Sequence, residues 1–322
     1  MMGGDAERFL VTGSEGCIGS WVVRRLLESG SPVVACDIAP ESRRLGRILT
    51  PELFDRLVYV VADLRAPDVL EQLVAEHEIT RIVHLAALQV PFVAADPLLG
   101  AEVNVVGTIR VLEAARRSPT VAGVSYASSS AVFGAVGGWG RPDTLYGVFK
   151  TANEESARFY ARDYATPSTG LRPCVVYGPN RDQGLSAAIT HALKAAVLGL
   201  RYTIPFRGHI DLQYVEDVAA AFIRVTLDDH MEARVFDLHG DLVDVADVVS
   251  LIEQEVPEAA GLISVGSDPV PGRVEFDDAP LLAAVGELPK TSLAEGIRSS
   301  VGLFRDQIEA GVLTRAELEA VA

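Results

Sequence analysis

The chain has 322 residues, of which 49% are apolar, so it can bury a large core in two domains or in one domain that carries a smaller lobe. Its net charge of −16 would repel nucleic-acid phosphates and anionic membrane surfaces, and we expect neither as a partner. The sequence has neither a run of about 18 apolar residues nor the features of a signal peptide, which predicts a cytoplasmic protein.

In the first half of the chain, short apolar runs alternate with longer helical segments. We predict strands at 8–12, 32–37, 57–63, 81–87, 121–128 and 169–176. We predict helices at 17–29, 67–77, 96–117 and 146–164. Apolar strands separated by helices indicate a parallel sheet that is covered on both faces. The predicted fold is therefore α/β, a doubly wound Rossmann sheet whose ligand lies beyond the carboxyl ends of the strands.

After residue 184 this alternation becomes irregular. The predicted elements are a helix at 185–199, a strand at 201–204, a segment at 210–225 that runs into a helix, a strand at 234–238, and helices at 244–256, 279–286 and 292–310. We expect this part of the chain to divide between completing the sheet and forming a smaller C-terminal lobe.

A glycine-rich turn follows the first predicted strand. The segment "FLVTGSEGCIGSWVVRRLLESG" at 9–30 spaces Gly13, Gly16 and Gly19 as GxxGxxG between an apolar strand and an amphipathic helix. Glycines at these positions allow a tight turn and a close approach to a pyrophosphate, whose charge the helix N-terminus favours. Asp37 ends the next strand, where a carboxylate would accept the ribose hydroxyls of NAD and repel the extra phosphate of NADP. The sequence therefore predicts an NAD site.

Two further features bear on this site. Arg43 and Arg44 lie a few residues beyond Asp37, where their charges would soften the preference for NAD. Asp63 follows the third predicted strand. Its carboxylate would either hold the adenine amino group or act as a turn residue of the N-cap kind, and the sequence leaves both interpretations open.

The segment "TLYGVFK" at 144–150 places Tyr146 four residues before Lys150. In a chain with 8 tyrosines and three lysines, chance gives roughly 0.07 such pairs, so the spacing alone is suggestive but weak. On a helix the two side chains would share one face, one turn apart. A phenol with an ordinary pKa of about 10 needs neighbouring positive charge to act as a base near neutral pH. The Lys150 ammonium and an oxidised nicotinamide would both supply that charge.

No metal site is predicted. The three cysteines, Cys17, Cys36 and Cys174, are odd in number and far apart, which excludes a disulfide framework or zinc site by spacing. The six histidines form no HxH or HExxH arrangement. A GxSxG elbow, which a Ser–His–Asp hydrolase would need, is absent as well.

Several segments together resemble one family, the extended short-chain dehydrogenase/reductases, also called the NAD-dependent epimerase/dehydratase family. The matching segments, in the family's order over more than half of the chain, are "TGSEGCIG" 12–19, Asp37, "ADL" 62–64, "HLAA" 84–87, "NVVGT" 104–108, "SSSAVFG" 128–134, "YGVFK" 146–150 and "LRPCVVYGP" 171–179. The resemblance implies NAD as the cofactor. It also implies a homodimer that pairs the helices at 96–117 and 146–164 with their copies.

The resemblance assigns Tyr146 as the general acid/base, Lys150 as its partner and ribose ligand, and Ser129 as the third catalytic residue. Ser129 is chosen because it stands five residues before Gly134, and it would hydrogen-bond the substrate oxygen. Phe149, where the family commonly has serine, is interpreted as helix packing. The cofactor-binding residues that the resemblance implies are Gly13, Gly16, Cys17, Ile18, Gly19, Asp37, Asp63, Leu64, Leu85, Ala86, Ala87, Asn104, Tyr146 and Lys150. The implied domains are 1–177 for NAD, with its sheet completed by about 208–240, and 178–207 with 241–322 for the substrate.

Two departures from the nucleotide-sugar members of the family concern phosphate recognition. Cys174 stands where those enzymes often have asparagine, and Ile210 where they have arginine, so two donors to a diphosphate are lost. Arg273 matches a later arginine that such enzymes use for phosphate. The candidate substrate-binding residues, each of which has an ordinary surface or packing alternative, are Gln89, Ser129, Ser130, Cys174, Gln183, Gln213 and Arg273.

The sequence therefore predicts an NAD-dependent oxidoreductase or epimerase that acts on a secondary alcohol of a sugar, polyol or sugar acid. One alternative is a UDP-sugar 4-epimerase or dehydratase, which uses the same hydride removal. A second alternative is a cofactor-binding sensor or structural protein without turnover. Such a protein would have no chemical need for Ser129, Tyr146 and Lys150 together.

Overall fold

The computed structural model describes residues 7–134, 140–270 and 275–319. The strands of this part of the chain are β1 (Phe9–Thr12), β2 (Val33–Asp37), β3 (Val58–Val61), β4 (Arg81–His84), β5 (Gly123–Ala127), β6 (Ser168–Arg172), β7 (Val175–Tyr177), β8 (Tyr202–Arg207), β9 (His209–Tyr214), β10 (Ala233–Asp237), β11 (Asp241–Asp244) and β12 (Ile263–Pro269).

The helices of the same ranges are α1 (Cys17–Glu28), α2 (Arg43–Gly46), α3 (Pro51–Phe54), α4 (Val69–Glu76), α5 (Val90–Ala95), α6 (Pro97–Ala101), α7 (Gly107–Arg117), α8 (Leu145–Tyr164), α9 (Ala188–Val197), α10 (Val215–Thr226), α11 (Val245–Glu255), α12 (Ala279–Val285), α13 (Leu293–Glu309) and α14 (Arg315–Glu319). A π-helical turn, Glu102–Val106, joins α6 to α7. Short 3₁₀ turns lie at Ser130–Phe133, Leu185–Ala187 and Pro257–Ala259.

Seven parallel strands form the central sheet, in the order β10-β6-β5-β4-β1-β2-β3. This confirms the predicted doubly wound α/β fold. From β1 the chain first builds outward through β2 and β3, then crosses to β4 and builds the other way. The strand order therefore reverses between β1 and β4, and ligands of such sheets bind beyond the carboxyl ends at this point.

Both faces of the sheet are buried along its five inner strands, as continuous apolar strands require, whereas the edge strands β3 and β10 are partly exposed. Successive residues of β1 point to opposite faces, so Val11 belongs to the core beneath α1 and α10, while Leu10 belongs to the core beneath α4 and α7. The indole of Trp21, on α1, is buried, and its Nε1 donates to the Pro179 carbonyl at 3.0 Å. This bond ties helix α1 to the segment that follows β7.

One predicted strand, 169–176, is divided in the structure. β6 ends at Arg172 and stays in the central sheet, whereas β7 pairs with β9 in a three-stranded sheet of order β11-β9-β7. Pro173 stands at the break, and proline has no N–H to donate to a neighbouring strand. The next N–H, that of Cys174, donates to the Gln213 side chain at 3.1 Å instead. The seventh sheet strand is β10, which pairs with β6.

Several short elements were not predicted, namely α5, β11, β12 and α14. β12 has the polar sequence "ISVGSDP" and forms a two-stranded parallel sheet with β8. Its pairing depends on β8, about 60 residues earlier, so its own residues carry little strand signal. Among the described residues, no helix is both long and apolar enough to cross a membrane.

Candidate functional site

A cavity of about 690 Å³ opens beyond the carboxyl ends of β1, β2 and β4. This is the edge where the strand order reverses, as expected for the ligand site of a doubly wound sheet. Predicted site residues that line the cavity are Gly13, Gly16, Asp37, Asp63, Leu64, Leu85, Ala86, Ala87, Gln89 and Gln183.

The turn between β1 and α1 requires glycine. Gly13 has φ +71°, and a Cβ at this position would lie 2.5 Å from the Ala86 backbone nitrogen. A Cβ at Gly19 would overlap the Gly13 carbonyl oxygen. Helix α1 begins directly afterwards at Cys17, and the N–H groups of its first turn have no acceptor within the helix. Bare backbone and free N–H groups beside a large cavity fit the pyrophosphate of a dinucleotide.

Asp37 lies at the end of β2 on the cavity wall. Its carboxylate oxygens accept from the backbone N–H of Glu15 at 2.9 Å and of Ala39 at 3.0 Å. These bonds fix the side chain and leave lone pairs for ribose hydroxyls. The fit to NAD is therefore good at this end of the cavity.

The two arginines near Asp37 are occupied by carboxylates. Arg44 donates to both Asp182 oxygens, at 3.2 and 2.6 Å, and to the Glu15 carbonyl at 2.6 Å. Arg43 donates to Glu317, on α14, at 3.0 Å. The Arg44 guanidinium is thereby engaged on several sides, whereas Arg43 is 67% exposed beside the cavity and its pair with Glu317 lies at the surface.

Asp63 and Asn104 hold loops of the cavity wall. Asp63 accepts from the Arg65 backbone N–H at 2.9 Å and pairs with the Arg65 guanidinium at 2.7 Å, so its carboxylate acts as a turn residue while it lines the cavity. Asn104 is buried in the π-helical turn, and its side chain bonds both the N–H and the carbonyl of Leu88, at 2.7 and 2.9 Å. Asn104 therefore fixes the loop after β4.

Two elements, the turn after β5 and helix α8, bring Ser129, Tyr146 and Lys150 together. Ser129 follows β5 and starts a 3₁₀ turn, where its Oγ accepts from the Ala131 N–H at 3.2 Å. Tyr146 lies in the first turn of α8, whose N-cap Thr144 accepts from the Gly147 N–H at 3.1 Å. Lys150 lies one turn later and is buried.

The electrostatics of Tyr146 differ from the sequence-based expectation. Burial raises the pKa of Tyr146, while a hydrogen bond with Ser129 and the charge of Arg181 lower it. The Lys150 ammonium lies 5.4 Å from the centroid of the Tyr146 ring and donates to the Ala127 carbonyl at 2.6 Å. Burial lowers the pKa of Lys150 to about 8, against the raising effect of Glu154. Lys150 therefore loses its charge as the pH rises through about 8.

Arg181 is a site residue that the sequence analysis missed. Its Nη2 donates to Ser186 Oγ at 2.5 Å, and its Nη1 lies 3.3 Å from the Gln89 side-chain amide. Both partners are neutral, and the buried Nε has no partner among the described residues. The adjacent Asn180 donates to Ser20, on α1, at 3.0 Å. The only sequence signal is the position of Arg181 just after the "YGP" that ends β7.

The predicted substrate-binding residues separate into two groups. Gln89 and Gln183 line the cavity. Gln213 is buried, and its amide donates to Asp211 at 2.9 Å and to the Leu238 carbonyl at 2.8 Å while its oxygen accepts from the Cys174 N–H. Ser130 hydrogen-bonds the Cys174 thiol, whose pKa burial raises to about 12. Arg273 lies outside the described residues.

The described residues contain no cluster of three or more histidine, cysteine or acidic side chains that would suit a metal ion. His84, for example, is buried and neutral, because burial lowers its pKa to about 3. Its ring nitrogens lie 2.7 Å from Thr12 Oγ1 and 3.1 Å from Thr108 Oγ1. Its role is thus to link β4 to β1 and α7.

Known proteins resemble the chain over almost its full length. It is 30% identical to a UDP-glucose 4-epimerase of Mycolicibacterium smegmatis, over 93% of this chain and 99% of that protein. It is 27% identical to a probable UDP-glucuronate 4-epimerase of Rhizobium meliloti, over 90% of this chain and 94% of that protein. A crystal structure of Thermus thermophilus UDP-glucose 4-epimerase in complex with NAD superimposes with a TM-score of 0.76, at 27% identity, covering 92% of this chain and 99% of that one.

The model of the NAD dependent epimerase/dehydratase family matches residues 9–236. This range includes the glycine turn, Asp37, Ser129, Tyr146 and Lys150. The match spans more than two thirds of the chain and confirms the resemblance predicted from the motifs. NAD is the cofactor of this family, and the cavity fits it at both the glycine turn and Asp37. The chain is therefore a member of the NAD-dependent epimerase/dehydratase family.

Proposed function

We propose that the protein is an NAD-dependent 4-epimerase of a nucleotide sugar. The observation that carries this proposal is the convergence of Ser129, Tyr146 and Lys150 at the same end of the sheet as the dinucleotide cavity. A protein that only binds its cofactor would not need a phenol, a hydroxyl and a buried ammonium close together. The named relatives act on UDP-sugars, which supports this substrate class.

In the proposed reaction, the glycine turn and Asp37 would hold NAD, which would supply a reversible hydride acceptor, so that the hydride of the sugar carbon can return to the opposite face. Tyr146 removes the proton of the sugar hydroxyl at its phenolic oxygen and later gives it back. Ser129 donates to the same sugar oxygen and steadies its negative charge. Because burial raises the pKa of Tyr146, nearby positive charge is needed to make the phenolate accessible. The charge of Arg181 lowers this pKa, and the Lys150 ammonium, 5.4 Å from the ring centroid, is the second cation beside the phenol.

The proposed substrate class differs from the one that the sequence alone favoured. Cys174 and Ile210 favoured a smaller polyol or sugar, because two phosphate donors of the nucleotide-sugar enzymes are missing. The relatives favour the nucleotide-sugar alternative instead, and Arg181 offers a guanidinium with neutral partners near Gln89. Arg181 therefore compensates in part for the missing donors.

With NAD present, we expect UDP-glucose or UDP-glucuronate to be converted to its C4 epimer without net formation of NADH. Proton NMR of the sugar ring follows the C4 configuration, and absorbance at 340 nm follows NADH. Free glucose, free glucuronate and polyols serve as controls and should remain unchanged. Steady NADH formation with a free polyol, and none of the epimer from either UDP-sugar, would instead establish the dehydrogenase of a smaller substrate.

We also propose that residues 1–177 form the NAD-binding domain, completed by strand β10, and that 178–207 and 241–322 form the substrate lobe. In support, the cavity is lined by residues before 104 and, from the lobe, by Gln183. Such a division would let substrate binding bring the lobe side chains against the cofactor.

A homodimer is our proposal for the assembly. Exposed apolar side chains gather on the neighbouring helices α6 and α8, including Leu98 at 74% exposure and Val148 and Phe159 above 40%. Val148 and Phe159 are eleven residues apart, so they lie on one face of α8. A second copy of the chain would bury this face, as the family resemblance implies.

Light scattering should therefore give twice the mass of one chain for the wild type. Val148→Asp together with Phe159→Asp should give the mass of a single chain, because burying a carboxylate in an apolar contact is costly. Met231→Asp is the control, since Met231 is 70% exposed in the segment between α10 and β10 and belongs to neither helix. A wild-type protein of single-chain mass at micromolar concentration would refute the proposal.

A further inference from the structure

Glu154 lies on α8 one turn after Lys150, and only 11% of its side chain is exposed. Arg172, the last residue of β6, donates to both of its oxygens, from Nε at 2.7 Å and from Nη2 at 2.6 Å. The Ser128 hydroxyl donates to the same carboxylate. One carboxylate thus joins the helix of Tyr146 and Lys150 to the residue that precedes Ser129.

Lys150 is a buried ammonium whose hydrogen bond goes to a neutral acceptor, the Ala127 carbonyl. Burial penalises its charged form, and Glu154 is the group whose charge opposes this penalty. The other titratable groups near Lys150 are His84 on β4, which burial and Lys150 keep neutral, and Tyr146. Neither supplies the negative charge that Glu154 supplies when the phenol is protonated.

The titratable groups shown near Glu154 come from β5 and β6, and β10 acts through Arg172. Arg172 belongs to β6 and also bonds Asp237, on β10, at 3.3 Å. Tyr126, on β5, is close enough for the Glu154 charge to help raise its pKa. Arg172 therefore partly neutralises Glu154, and its guanidinium is shared between two carboxylates.

The segment from Ser128 to Ser130 is held from two sides. The Ser128 N–H donates to the Leu171 carbonyl at 2.7 Å, and the Ser130 N–H donates to the Pro173 carbonyl at 3.1 Å. From the α8 side, Glu154 accepts from the Ser128 hydroxyl. These bonds fix the backbone that presents Ser129 to the Tyr146 phenol.

We propose that Glu154 is a positioning residue of the proton-transfer site, which keeps the Lys150 ammonium charged and holds Ser128 so that Ser129 meets Tyr146. The proposal rests on the proposed function for its catalytic meaning. Its physical content, the charge state of Lys150, can be measured without any substrate.

The first test is Glu154→Gln, which removes the charge and keeps an oxygen that accepts from Ser128. The chain has three lysines, so ¹³C-lysine labelling gives three Cε signals, and Lys150→Arg identifies the one of Lys150. We expect the pKa of Lys150, read from a pH titration of this signal, to fall by about 1 unit. The matched control is Glu155→Gln, because Glu155 makes a surface pair with Arg158 at 2.8 Å and should leave Lys150 unchanged.

The second test uses the direction in which the pKa of Lys150 shifts. Arg172→Gln breaks the same ion pair but leaves Glu154 charged, so the pKa of Lys150 should rise. A purely structural role would shift Lys150 in the same direction in both variants, or not at all, and either result overturns the proposal. If Glu154→Gln does not fold, Glu154→Asp is compared with Arg172→Gln. Aspartate keeps the negative charge, so Glu154→Asp should titrate Lys150 close to the wild-type pKa, whereas Arg172→Gln should raise this pKa.

Turnover separates this proposal from the proposed function. Glu154→Gln should move the alkaline limit of kcat to lower pH, because the ammonium is lost earlier as pH rises. Opposite shifts of Lys150 in the two variants, together with no turnover of any sugar, would contradict the proposed function and leave the role of Glu154 at Lys150 intact.

Discussion

Tyr146→Phe should lower kcat by about 10²- to 10⁴-fold, the usual range for loss of a general acid/base. The phenolic oxygen is the atom that hydrogen-bonds Ser129, and phenylalanine keeps the ring beside the Lys150 ammonium. The packing of α8 is therefore preserved while the proton carrier is lost. Epimer formation measures the loss, and a fluorescence titration should show NAD affinity within about threefold of the wild type.

Tyr164→Phe is the matched control for this change. Tyr164 ends the same helix and is 55% exposed, so removing its hydroxyl should leave kcat unchanged. Full turnover in the Tyr146 variant would mean that another group carries the proton. A loss of NAD binding equal to the loss of kcat would mean that Tyr146 only holds the cofactor.

Most of the features that could be predicted from the sequence depend on residue spacing within a single strand, turn or helix. The glycine turn, Asp37 and the Tyr146–Lys150 pair each lie within one strand, turn or helix, where residue spacing fixes relative position. The seven-stranded parallel sheet follows from the same local patterns, because apolar strands between helices have few other arrangements. The fold, the family and the cofactor were therefore accessible without the structure.

Contacts between distant segments were not accessible. Arg181 meets Gln89 about ninety residues away, and Glu154 meets Arg172 and Ser128 on two other elements. Gln213 was a candidate substrate-binding residue, yet its side-chain amide is bonded to Asp211, Leu238 and Cys174. Spacing along the chain says nothing about such pairings, which depend on how the strands, helices and loops pack in three dimensions.

Gly13→Ala should abolish measurable NAD binding, with an affinity loss above about 100-fold, and lower the free energy of unfolding by about 2–3 kcal/mol. The added methyl group would lie 2.5 Å from the Ala86 nitrogen, and the backbone at φ +71° is one that alanine adopts with strain. To relieve the clash, the β1–α1 turn would have to move away from the loop after β4. Gly13 and Ala86, which touch at this point, both line the cavity. Fluorescence titration with NAD and urea unfolding measure the two effects.

Gly261→Ala is the control that separates backbone strain at positive φ from the steric clash of the added methyl group. Gly261 has φ +72°, almost the same backbone, but nothing lies within 4 Å of a Cβ there. This variant should lose only about 1 kcal/mol of stability and bind NAD as the wild type does, because its turn lies outside the cavity. Equal loss of stability in both variants would show that backbone strain alone explains the Gly13 effect. Retained NAD affinity in Gly13→Ala would show that the β1–α1 turn yields to a methyl group without loss of the pyrophosphate site.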